Sequence, residues 1–154
     1  MSWELQTWLV DTLIADSAIT ALVGADSAGT PAIFPYHHSD ADEIIPYPHI
    51  TFARFGSRAQ HMPFDERPEW ASLMDNPRIA VCVWSTQTID ECWPIYKLID
   101  GILRGPAGAS NAYFGAYTVK RTALRDDLYD EDVHAYHLHS EYCAVTQLTG
   151  TAQP

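Results

Sequence analysis

Apolar residues recur along the first fifteen positions with helical spacing. Leu5, Trp8, Leu9, Thr12 and Leu13 fall at i, i+3, i+4, i+7 and i+8, which predicts an amphipathic helix whose stripe packs on a sheet. Asp16 or Ser17 is placed to cap a second short helix carrying Ile19, Leu22 and Val23, and Gly24 stands where a left-handed helix stop is expected. From Ala25 to Pro48 the chain is rich in Gly, Ser, Asp and Pro. Pro31, Pro35, Pro46 and Pro48 oppose regular structure there except for a brief extended piece at Ile33-Phe34. Residues 49 to 55 alternate, with Ile50 and Phe52 on one side and Thr51 and Ala53 on the other, as a half-exposed strand does.

The pattern then breaks between Gly56 and Pro77. Phe64, Trp70, Leu73 and Met74 are mixed there with Asp65, Glu66, Arg67 and two prolines, a composition too apolar for a solvent loop and too broken for a strand. Loops longer than about 12–15 residues in compact domains are usually functional or ordered by a partner, so this excursion is the first candidate for contact with another subunit. A flexible hairpin extension is the other reading of it.

Residues 78 to 85 are apolar on both faces, Ile79, Val81 and Val83 against Ala80, Cys82 and Trp84, which predicts a central strand covered on two sides. Thr88 followed by Glu91 reads as a capping box. Ile89, Cys92, Tyr96, Ile99, Ile102 and Leu103 then keep helical spacing to Gly105-Pro106, with a bend expected at Pro94. After a turn at Gly105 to Ser110 the reading is a strand at Tyr113–Thr122, an acidic turn around Asp126 to Asp132, and a last strand near Val133–Leu148. The order helix, helix, strand, strand, helix, strand, strand predicts an α+β fold, a mixed or mostly antiparallel sheet of about four strands with two to three helices packed against it. At 154 residues the chain fits one domain over 1–149, with a flexible tail at 150–154.

Charge narrows the classes of partner. Twenty acidic against nine basic residues give a formal net charge of -11, which repels phosphate backbones and anionic lipid surfaces and disfavours general nucleic-acid binding. No apolar run approaches the roughly 20 residues of a membrane-spanning helix, and the opening Ser2-Trp3-Glu4 does not read as an export signal. Cys82, Cys92 and Cys143 cannot all pair within one chain and lack CxxC spacing, so they read as free thiols.

Local motifs of catalysis are missing from the pattern. His134, His137 and His139, with His37-His38, form the densest group of seven histidines. On a strand His137, His139 and Glu141 share one face while His134 points the other way, and successive ligands stand about 7 Å apart, too wide for one small ion. Asp126, Asp127, Asp130, Glu131 and Asp132 lack the order of a calcium loop. They read as a solvated acidic turn, or as a charged surface facing Arg54, Arg58, Arg121 or Arg125 of a neighbouring subunit. No phosphate loop, nucleophile elbow or HExxH pattern occurs, so the expectation is a protein that is not an enzyme.

Four segments in order carry a resemblance. They are the opening helix running into Leu13 to Gly24 (LIADSAITALVG), Ile33-Phe34-Pro35-Tyr36, Pro46 to Phe52 (PYPHITF), and Arg78 through Val81-Cys82-Val83-Trp84-Ser85 to Leu103. Together they resemble the tail-completion, or tail terminator, family of long-tailed bacteriophages and gene transfer agents, over most of the first 105 residues. The resemblance implies a homohexameric ring on the head-proximal end of the tail tube. Its partners would be the tail tube protein and a head–tail connector or stopper protein, with DNA passing through the lumen without specific binding. It implies no catalysis, cofactor, metal or membrane, and a place in the virion after assembly in the host cytoplasm. Residues placed to form the ring interface are Phe64, Trp70, Leu73, Met74, Arg58, Asp127 and Asp130. The length of the 56–76 excursion and the histidine-rich last strand depart from the family pattern, and another neck or tail component shares the general reading. A small cytoplasmic enzyme or ligand-binding domain is the alternative from a different class, and a pocket with convergent polar groups would favour it.

Overall fold

The computed structural model describes residues 2–34, 45–59, 75–104 and 117–146. Helix α1 (Ser2–Ala15) is followed by the single turn α2 (Ser17–Thr20), strands β1 (Ile33–Phe34), β2 (His49–Ala59) and β3 (Asp75–Ser85), helix α3 (Cys92–Arg104), and strands β4 (Tyr117–Asp130) and β5 (Ala135–Thr146). The fold is therefore α+β, built on a mixed five-stranded sheet in the order β1-β2-β3-β5-β4. The fifth strand is the short extended piece at Ile33-Phe34, which pairs in parallel with Ile50 and Thr51 of β2. All other pairings are antiparallel.

All three helices pack on one face of this sheet. Leu9 and Leu13 of α1, Ile19 of α2, and Ile95 and Ile99 of α3 are all within 1% of fully buried. They meet Ile50 and Phe52 of β2, Ile79, Val81 and Val83 of β3, and Leu138 and Tyr142 of β5. The alternation on β2 and β3 puts these residues on one face, as period-two spacing requires. Burying each such side chain contributes about 1.5–3 kcal/mol, so this single interface supplies most of the apolar driving force.

Local chemistry explains the helix ends. Asp16 caps α2, its Oδ1 accepting from the backbone N–H groups of Ala18 at 2.9 Å and Ile19 at 3.1 Å. Gly24 does not provide a left-handed stop; among the described residues the left-handed glycine is Gly29, at φ 81°. What Gly24 provides is close approach, since a Cβ there would lie 2.9 Å from both Pro46 Cβ and the Tyr47 carbonyl oxygen. Its N–H donates to the Pro48 carbonyl at 2.7 Å and its carbonyl accepts from Ala32 at 2.8 Å, which ties the end of α2 to the start of both β1 and β2.

The capping box at Thr88 and Glu91 does not form. Thr88 makes no side-chain cap, and the Glu91 carboxylate instead accepts from the hydroxyl of Ser85 at the end of β3. A 3-10 turn at Ile89–Glu91 leads into α3. Pro94 is the third residue of that helix, where its missing N–H has no intrahelical acceptor to lose, so it fits the first turn.

The acidic segment is strand rather than turn over most of its length. Asp126, Asp127 and Asp130 belong to β4, and the turn is confined to residues 131–134. A bulge between Arg125 and Leu128 absorbs one extra residue, and Asp127 adopts φ 53° within it, a left-handed conformation that Asp tolerates better than most residues. His134 also has positive φ, 51°, and sits in the turn rather than on β5. Residues 56–59 and 75–77 of the excursion are paired strand, continuing the β2–β3 ladder to Ala59 and Asp75. The tail expected at 150–154 lies outside the described residues.

Candidate functional site

β3 is central, but only Ile79, Val81 and Val83 lie under the helices. Ala80, Cys82 and Trp84 project from the opposite face, where they line an open cleft of about 330 Å³ together with Thr51 and Ala53 of β2 and His137 and His139 of β5. Sequence patterning predicts a second covering layer there; among the described residues no helix packs on that face.

The sheet register builds the cleft in two rows. In the first, His49, Trp84 and His137 are neighbours across β2, β3 and β5. Their rings stack, with centroids 5.9 Å apart for His49 and Trp84 and 4.3 Å for Trp84 and His137. Tyr47 extends the row at 4.6 Å from His49. Burial, helped by the charge of Asp130, raises the Tyr47 phenol above its ordinary pKa, which locates Asp130 at this end of the cleft. The indole N–H of Trp84 donates to Thr51 Oγ1 at 2.9 Å, satisfying the one polar atom of a residue that is otherwise buried.

The second row is Thr51, Cys82 and His139. Cys82 Sγ lies 3.0 Å from His139 Nδ1, and His139 Nε2 lies 3.1 Å from Glu141 Oε1. A carboxylate only accepts hydrogen bonds, so Glu141 fixes the tautomer with the proton on Nε2 and leaves Nδ1 as the acceptor facing the thiol. Burial pushes the Cys82 thiol up to about 12; a hydrogen bond with Thr51 opposes this and the charge of Glu141 adds to it. Cys82 is half-buried and opens on the cleft. Cys92, the first residue of α3, is fully buried against the sheet, where its thiol donates to the Val83 carbonyl at 3.3 Å.

The residues assigned to a ring interface are not brought together by the described structure. Phe64, Trp70, Leu73 and Met74 lie outside the described residues, as does the His37-His38 pair. Arg58 is on β2 opposite Asn76 of β3, one step from the open end of that ladder. Asp127 is exposed on the β4 bulge, whereas Asp130 is half-buried at the end of β4 and its Oδ1 accepts from the Asp132 N–H at 2.9 Å. Arg121 does not face outward as a free cation. It donates to the Tyr96 hydroxyl and stands 3.8 Å from Asp100, both on α3.

Period-two spacing places His137, His139 and Glu141 on one face, and the structure does so. It is silent on Cys82, because only the β3–β5 register sets the thiol opposite His139. Among the described residues no group of three His, Cys, Asp or Glu side chains converges as metal ligands, since the Cys82, His139 and Glu141 atoms form a chain through the imidazole. Among the same residues no helix is long and apolar enough to cross a membrane. No protein-family model matches the sequence, and no curated protein matches it.

Proposed function

We propose that the chain is a structural virion subunit that caps the head-proximal end of a phage tail tube as a ring, ending tube polymerisation and joining the tail to the head connector. The observation that carries this reading is the continuity of the four resembling segments. They fold as α1 with α2, β1, the start of β2, and β3 with α3, and these segments supply the apolar core except for Leu138 and Tyr142 of β5.

A ring needs a heterologous contact that closes on itself. The β2–β3 ladder runs to Ala59 and Asp75 and holds the ends of the 60–74 segment on adjacent strands. The apolar residues of that segment, Phe64, Trp70, Leu73 and Met74, have the composition of a subunit interface. The exposed acidic bulge at Asp127 supplies a charged surface on the opposite edge of the sheet, on β4. The net charge of -11 also suits a ring through which DNA passes without adhering.

Deleting the gene from the genome that carries it, and scoring the particles by negative-stain electron microscopy, tests the assignment. Overlong or unjoined tails are the expected result. Normal-length tails separated from heads would move the subunit to an adjacent neck station, and intact infectious particles would overturn the structural reading. Removal of residues 60–74 is expected to leave a folded chain that no longer assembles into rings, read by native mass spectrometry.

A further inference from the structure

We propose that Cys82 is a reactive thiol, with His139 as its general base and Glu141 as a positioning residue, that accepts acyl groups from activated esters or thioesters entering the open cleft. This goes beyond the ring assignment and does not depend on it.

Three features support it. The thiol, imidazole and carboxylate are aligned on adjacent strands at 3.0 and 3.1 Å, with the imidazole between the other two. That is the arrangement in which a base takes a proton from a nucleophile while a third group holds its orientation. The sulfur also opens on a cleft, whose small Ala53 and Ala80 leave space beside it. A short acyl group fits such a space. Finally, burial holds Cys82 in its thiol form at neutral pH, with a pKa of about 12, so reaction requires the proton to be removed during attack, and His139 Nδ1 is the atom placed to receive it.

The step balances without any further reagent. The S–H proton passes to His139 Nδ1 as the sulfur attacks the carbonyl carbon and the S–C bond forms. The C–O bond to the leaving alcohol or phenol of an ester, or the C–S bond to the leaving thiol of a thioester, then breaks, and the departing oxygen or sulfur recovers the proton from the imidazolium. Thr51, within hydrogen-bonding reach of Cys82, stabilises negative charge developing on the sulfur during the attack.

The test uses the full chain with 4-nitrophenyl acetate, measuring nitrophenol release and locating the acetyl group by peptide mass spectrometry. Cys143, also half-buried, serves as the internal reference. The expected result is release of one nitrophenol per chain, with acetyl on Cys82 at least tenfold faster than on Cys143. His139→Gln is expected to slow Cys82 acetylation by about 100-fold, the lower range of general-base effects, and Glu141→Gln by about tenfold, with circular dichroism spectra unchanged. In the unaltered chain the rate is expected to level off below about pH 9, whereas a thiol reacting through its own ionisation keeps rising well above that. Equal labelling of Cys82 and Cys143, an unchanged rate in a folded His139→Gln chain, or a rate still climbing beyond pH 9 would each overturn the proposal.

Discussion

Tyr142 donates its hydroxyl to Oδ1 of Asp100 at 2.8 Å, linking the middle of β5 to the last turn but one of α3. The same carboxylate receives two bonds from Arg104, one turn along the helix, and lies 3.8 Å from Arg121 of β4. One side chain thus joins three elements at the edge of the core. Burial raises the Asp100 pKa, but the hydrogen bonds from Arg104 and Tyr142 and the charges of Arg104 and Arg121 outweigh it, so the carboxyl titrates below its ordinary value.

A stability difference at Tyr142 is therefore expected. Tyr142→Phe keeps the ring and removes a bond to a charged acceptor, which costs about 1.5–3 kcal/mol. Urea unfolding of the two chains at neutral pH measures it, and a loss below about 0.5 kcal/mol would show that the bond is replaced by water.

The same site makes a pH prediction. Because the folded-state pKa is lowered, the contribution of Asp100 is complete above the unfolded value near 3.9 and disappears as pH falls through the folded value. The stability gap between the native chain and Asp100→Asn is expected to be constant from pH 6 to about 5 and to narrow below about pH 4. Paired denaturant titrations across that range check the sign.

Two glycines are expected to respond oppositely to alanine. Gly24→Ala drives a Cβ to within 2.9 Å of Pro46 and the Tyr47 carbonyl, and the required shift costs about 1–3 kcal/mol. Gly101 lies exposed in α3 with nothing within 4 Å of its Cβ position, so Gly101→Ala gains about 0.5–1 kcal/mol from reduced backbone entropy. Thermal melts of both variants decide the matter, and a shared direction would contradict the packing at Gly24.

Asp16→Ala is expected to cost about 1 kcal/mol through loss of the α2 cap, measured by denaturant midpoint. Asp16→Asn preserves an acceptor and is expected to recover most of that loss.

The fold was legible where one periodicity dominated. Leu9, Leu13, Tyr96 and Ile99 repeat at helical spacing and are buried in helices; Ile79, Val81 and Val83 alternate and are buried in a strand. It was illegible where tertiary pairing overrode local signals. Thr88 and Glu91 have the spacing of a capping box, but Ser85, brought near by the end of β3, takes the Glu91 carboxylate. Asp126 and Asp127 have turn composition, yet pairing with β5 carries them into a bulged strand. The apolar second face of β3 implied a covering layer and turned out to be the floor of a cleft. The site was half visible: alternation aligned His137, His139 and Glu141, while the meeting of His139 with Cys82 depends on a strand pairing between residues 57 positions apart.

That pairing has a kinetic consequence. β2 and β3, and likewise β4 and β5, pair as neighbours in sequence, across residues 60–74 and 131–134, but β3 and β5 meet only after α3 and β4 have been traversed. Loop-closure entropy therefore falls most heavily on the seam between the two strand pairs, and contacts of that sequence separation form slowly. Trp84 with His137, Cys82 with His139, and the Ser140 hydroxyl with the Val81 carbonyl all lie on that seam. The two halves of the molecule are each locally encoded, and the cleft is a property of neither: it comes into being when they zip together and vanishes when they part.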